Sequence, residues 1–209
     1  MSLTPDPGAG NSGKPSRPAN SSDFLKMSTV AYTVMGAVGF EICWWWHQNI
    51  GALLGPVRYS IRDSLVMVVA GILFLLMLQR VLEDFFPSYK KFKSTLASHI
   101  GQFGWFGSLW LALISAAGEE LLFRGALQPF LGVWLTSILF GLLHLDPDEG
   151  LTAWTAWALI AGLILGASCN VTGSLWPALI IHFTINFWGL RSLAKINVQS
   201  TKQKPSGIA

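Results

Sequence analysis

Charge is what this sequence has least of. Only 12% of its 209 residues are Asp, Glu, Lys or Arg, about half the share of an average soluble domain. That leaves too little ionic surface to coat a globule in water. Cysteine is nearly absent as well. Cys43 and Cys169 both fall inside or at the ends of apolar runs, which excludes a disulfide framework and leaves the redox compartment open. There is no internal repeat, as the paired halves of a transporter would give. No small-residue cleavage site followed by a soluble domain marks a secretory signal. The net charge of +3 does not point to nucleic acid in so apolar a chain; it fits Lys and Arg gathered in cytoplasmic loops.

What is present is apolar and aromatic. Hydrophobic residues make up 52% of the chain, with ten Trp and thirteen Phe, and the mean hydropathy is +0.48. Many of the aromatics stand near the ends of apolar runs, as interfacial anchors do. Six such runs are read, at about 28–47, 64–82, 105–128, 132–145, 151–169 and 175–190. The fold class expected is therefore all-α, a polytopic transmembrane helix bundle with about six spans. Residues 1–23, rich in Pro, Gly, Ser and Asn, cannot bury enough apolar surface to offset ordering and are expected to be disordered.

Residues 24–104 would hold two transmembrane helices and an amphipathic cytoplasmic segment, in which Phe85, Phe86 and Phe92 stand beside Lys90, Lys91 and Lys93. A core at 105–190 and a cytoplasmic tail at 191–209 complete the division. The third helix is expected to end at Pro129. The fourth run spans about 21 Å at 1.5 Å per residue, short of a ~30 Å hydrocarbon core, so its neighbours should enclose it. With the N-terminus inside, most Lys and Arg fall on the cytoplasmic side and only Arg58 and Arg62 outside. That asymmetry predicts a multi-pass integral membrane protein with both termini in the cytoplasm.

Ionisable residues within spans carry the functional information, because each costs on the order of 2.5–3.5 kcal/mol to insert. Three groups occur: Glu119, Glu120 and Arg124 on the third run, His144 at the end of the fourth, and His182 with Asn186 on the sixth. At about 100° per residue, Glu120 and Arg124 share a face while Glu119 points elsewhere. One carboxylate is then neutralised and one is free. His182 and Asn186, four apart, also share a face. Any one of these groups alone would read as an ion pair or as packing glue; three helices each carrying polar residues point to one buried site. Glu41, His47 and His99 are single and close to interfaces or loops, and Asp146-Pro147-Asp148-Glu149 reads as a solvated turn.

At these residues the chain resembles the CPBP family, the CAAX proteases and bacteriocin-processing enzymes also called Abi. Glu119-Glu120-x-x-x-Arg124, Phe140-x-x-x-His144 and His182-x-x-x-Asn186 match the family's three motifs in order. The resemblance covers about residues 105–190. It implies an intramembrane endopeptidase with Glu119 as general base and His144 positioning the same water. His182 and Asn186 would stabilise the oxyanion, and Glu120 and Arg124 would support the site. The implied partners are the lipid bilayer and a membrane-associated, possibly prenylated, protein or peptide substrate, with no nucleic acid.

No cofactor is expected. One Glu and two His form a plausible zinc set with a water in the fourth place, but Asn186 is a poor zinc ligand and no second carboxylate remains free. The alternative function is a non-proteolytic membrane adaptor or bacteriocin-immunity protein that keeps the polar core for packing or partner binding. Neither the natural substrate nor the oligomeric state is legible in the sequence.

Overall fold

The structure is a computed structural model that describes residues 21–46, 54–55, 60–100, 104–146 and 149–203. The expected disorder at 1–23 falls almost wholly outside the described residues, as do His47 and the His99 side chain. Ser21–Asp23 already belong to helix α1, which runs Ser21–Trp45. Next come α2, Ile61–Phe85, and α3, Pro87–Ile100. Then α4, Trp105–Glu120, passes through a π-helical turn at Leu121–Leu127 into α5, Gln128–Leu142. The chain closes with α6, Ala153–Thr172, and α7, Trp176–Gln203. The architecture is an all-α helical bundle.

Among the described residues, three stretches are long and apolar enough to cross a membrane: Ile61–Phe85, Trp105–Leu142 and Ala153–Thr172. The outward faces agree. On α1, Val30, Val34 and Val38 form an exposed stripe; on α2, Val66, Val69, Leu73 and Met77 do the same. Apolar side chains so exposed at helical spacing suit lipid rather than water.

Pro129 does not end the third helix. In the wide turn before it, the Gln128 N–H reaches back five residues to the Phe123 carbonyl. This register shift lets Pro129 enter at the start of α5, where its missing N–H costs little. The break comes at Gly132, whose φ of 72° is open to a residue without Cβ. The 38-residue apolar stretch Trp105–Leu142 is thereby kinked at Gly132. The sixth helix also runs further than expected, past Leu190 to Gln203.

Packing centres on α4 and α7. Helix α1 lies along α4 and the π-turn, α4 lies against α7, α5 pairs with α6, and α2 and α3 flank α7. The α1 contact is backbone on backbone. A Cβ on Gly118 would stand 2.5 Å from the Tyr32 carbonyl oxygen, and one on Gly39 would stand 2.7 Å from the Leu122 nitrogen. Glycine is required at both places.

Candidate active site

The two neighbouring glutamates have different surroundings. Glu120 is fully buried and its Oε1 collects two partners. Arg124 Nη1 stands 3.2 Å away as a charge contact, and His182 Nδ1 lies at 2.7 Å. Arg124 also donates from Nη2 to the Gly162 carbonyl at 3.1 Å, and its guanidinium carbon sits 4.6 Å from the centre of the Phe140 ring. Arg124 of the π-turn and His182 of α7 therefore meet at Glu120, with Phe140 of α5 against the guanidinium. Glu119, one residue earlier, lines a cavity, and its buried Oε2 has no hydrogen-bond partner.

That cavity, of about 240 Å³, is lined by Glu119, His144, His182 and Asn186 together. His182 Nε2 stands 3.7 Å from Glu119 Oε2. His144 lies in the turn just beyond α5. Its Nδ1 is 2.7 Å from the Phe140 carbonyl, so Nδ1 carries the proton and Nε2 is left with its lone pair. The ring rests on Phe140 at 4.5 Å, with Trp154 of α6 at 5.8 Å. The His144 carbonyl accepts from Thr155 Oγ1, a residue of the capping box that starts α6. Asn186 donates from Nδ2 to Ser115 Oγ at 2.9 Å.

Sequence reasoning paired Glu120 with Arg124, and the structure has that contact. It did not pair His182 with Glu120, nor see that His182 Nε2 approaches Glu119. It also missed three further residues of the cavity wall: Tyr32, Ser115 and Lys93. Ser115 was open to inference, standing four residues before Glu119 on the same helix face. Tyr32 was not, since α1 carries no motif. It is half-buried and lines the cavity with Glu119.

Lys93 is a correction. Read as a surface cation beside Lys90 and Lys91, it is buried, bonded to Glu83 Oε1 at 2.5 Å and to Ser192 Oγ at 2.9 Å. It thus ties α3 to α2 and α7 over the cavity. Tyr89 of α3 is buried beside it; burial, with the Glu83 charge second, pushes its phenol up, so it remains neutral. Among the described residues, no three His, Cys, Asp or Glu side chains are grouped as a metal site.

Fold and cavity together define a class: a membrane-embedded helical bundle enclosing a carboxylate–imidazole site. Residues 101–188 match the family model described as "Type II CAAX prenyl endopeptidase Rce1-like", so the resemblance carried by the three motifs stands over that segment. The protein of Bacillus subtilis (strain 168) described as "Uncharacterized protein YpbD" is 34% identical over 80 residues, 37% of this chain. The match spans 41% of that relative's own length. No solved structure matches.

Proposed function

We propose that the protein is a multi-pass intramembrane endopeptidase of the CAAX type that hydrolyses a peptide bond of a membrane-associated, prenylated protein or peptide. The observation that supports this most is the convergence of Glu119, His144, His182 and Asn186 on one cavity within the segment that matches the family model. The Glu119 carboxylate, which lines the cavity, takes a proton from a water whose oxygen attacks the scissile carbonyl carbon. His144 Nε2 accepts the water's other hydrogen and orients it. The base then returns its proton to the leaving amine as the C–N bond breaks.

Asn186 has a second N–H beyond the one given to Ser115 and directs it at the oxyanion. His182 gives Nδ1–H to Glu120, so donation from Nε2 as well requires the imidazolium. Water activation in this scheme needs no metal.

The cavity extends to Phe92 and Lys93 of α3, the helix that carries the Lys90–Lys93 cluster. By the charge asymmetry this is the cytoplasmic side, with both termini there, and the peptide enters from it. The full chain in lipid vesicles should cleave an internally quenched farnesylated peptide, and a strong chelator should leave the rate unchanged. Parental activity in Glu119→Gln would overturn the assignment, as would stoichiometric zinc that disappears in His144→Ala.

A further inference from the structure

We propose that Tyr32, on a helix without any motif, positions Glu119: its hydroxyl donates to the carboxylate and fixes its orientation at the cavity wall. This rests on the reading of Glu119 as the general base. Two geometric facts carry it. The α1 backbone at Tyr32 lies directly on the α4 backbone at Gly118, with room for no Cβ between them. That contact places Tyr32 beside the very next residue, Glu119, as the donor to its carboxylate. In addition, Tyr32 and Glu119 line the same cavity, and Glu119 Oε2 is left without a hydrogen-bond partner.

The charged and titratable groups around Glu119 make Tyr32 distinctive. His182 of α7 faces Oε2, His144 and Lys93 line the same cavity, and Glu120 and Arg124 follow on its own strand of chain. Lys93 is engaged with Glu83 and Ser192, and Arg124 with Glu120 and Gly162. Tyr32 thus supplies Glu119 with a neutral donor from α1. A carboxylate out of water relies on such donors for both its charge and its orientation.

The test is vibrational spectroscopy of the full chain in lipid vesicles at fixed pH. The difference between parent and Glu119→Gln assigns the Glu119 carboxyl stretch, whose position responds to a donated hydrogen bond. In Tyr32→Phe that band should move. On the farnesylated peptide, kcat should fall roughly ten- to a hundredfold, the worth of one hydrogen bond to a charged group, with KM nearly unchanged. A ring-fluorinated tyrosine at position 32 keeps the shape and strengthens the donor, so it should move the band the opposite way even if Tyr32→Phe folds poorly. A band that stays put in both variants would overturn the proposal. A parent active on the peptide with an unmoved band would sink Tyr32's role alone. A parent inactive on the peptide with a shifted band would sink the proteolytic reading and leave the Tyr32–Glu119 pairing intact.

Discussion

Helices α1–α3 and helices α4–α7 contribute to the same cavity by different physical means. The second group brings ionisable side chains into apolar surroundings and compensates them with one another: Glu120 with Arg124 and His182, His144 with a backbone carbonyl, Asn186 with Ser115. The first group carries no motif and acts by close approach and by cover. Glycine contacts set α1 against α4, and α3 closes over the cavity through buried Lys93 and Tyr89. The contrast teaches that a site in a membrane bundle has a chemical half and a holding half. Only the chemical half must use residues that are costly to insert.

The sharpest break of this comparison lies within the chemical half. Glu119→Gln should reduce cleavage by about 10²–10⁴-fold, the range for a general base, while thermal unfolding in detergent stays near that of the parent. Glu120→Gln should instead cost roughly 3–5 kcal/mol of stability, because Arg124 and His182 lose a buried counter-charge. Equal instability in the two variants would show that Glu119 belongs to the structural network after all.

The next largest effect concerns the oxyanion. Asn186→Ala should lower turnover by roughly 10²–10³-fold, the scale for one such donor, and leave substrate affinity little changed. A zinc-dependent enzyme would behave otherwise, with Asn186→Ala mild and metal content lost in His182→Ala.

What the sequence allowed to be read follows the same division. Glu119, Glu120, Arg124, His144, His182 and Asn186 stood out because charge in an apolar run is expensive and therefore informative. The helices themselves were legible for the complementary reason, long apolar runs. The π-turn at Leu121–Leu127 was not, because nothing in a run of Leu, Phe, Arg, Gly and Ala reports a hydrogen bond reaching five residues back, and Pro129 was consequently taken for a terminator. Tyr32 and Lys93 were hidden too. Each is an ordinary residue for its segment, and only the three-dimensional register of α1 on α4 and of α3 on α7 brings it to the cavity.

That register can be attacked directly. Gly118→Ala sets a methyl group 2.5 Å from the Tyr32 carbonyl oxygen, a backbone atom that cannot swing away. The helices must part, at a cost of about 1–3 kcal/mol as for overpacking elsewhere, and Tyr32 is carried off Glu119. Activity should therefore fall along with stability. Gly104→Ala, with nothing near its would-be Cβ, is the control: at the N-cap of α4 it should cost no more than about 1 kcal/mol and leave activity unchanged.

The smallest effect separates two lysines that the sequence treats alike. Lys91 and Lys93 lie two residues apart on α3, and both hold a glutamate. The Lys91 side chain is 71% exposed and meets Glu149 at 2.6 Å, whereas Lys93 is 9% exposed where it meets Glu83. An exposed pair trades solvation for attraction almost evenly and is screened by salt, so Lys91→Ala should change stability by no more than about 1 kcal/mol. Lys93→Met keeps the aliphatic stem but leaves Glu83 and Ser192 short of a donor in a largely dry place, at about 1–3 kcal/mol. The holding half then predicts a functional difference as well. Lys93→Met should loosen the cover and raise KM for the farnesylated peptide, while Lys91→Ala should leave KM alone. If raising salt from low to physiological strength weakened the parent as much as Lys93→Met does, the two lysines would be equivalent surface charges, and α3 would not be a packed cover over the cavity.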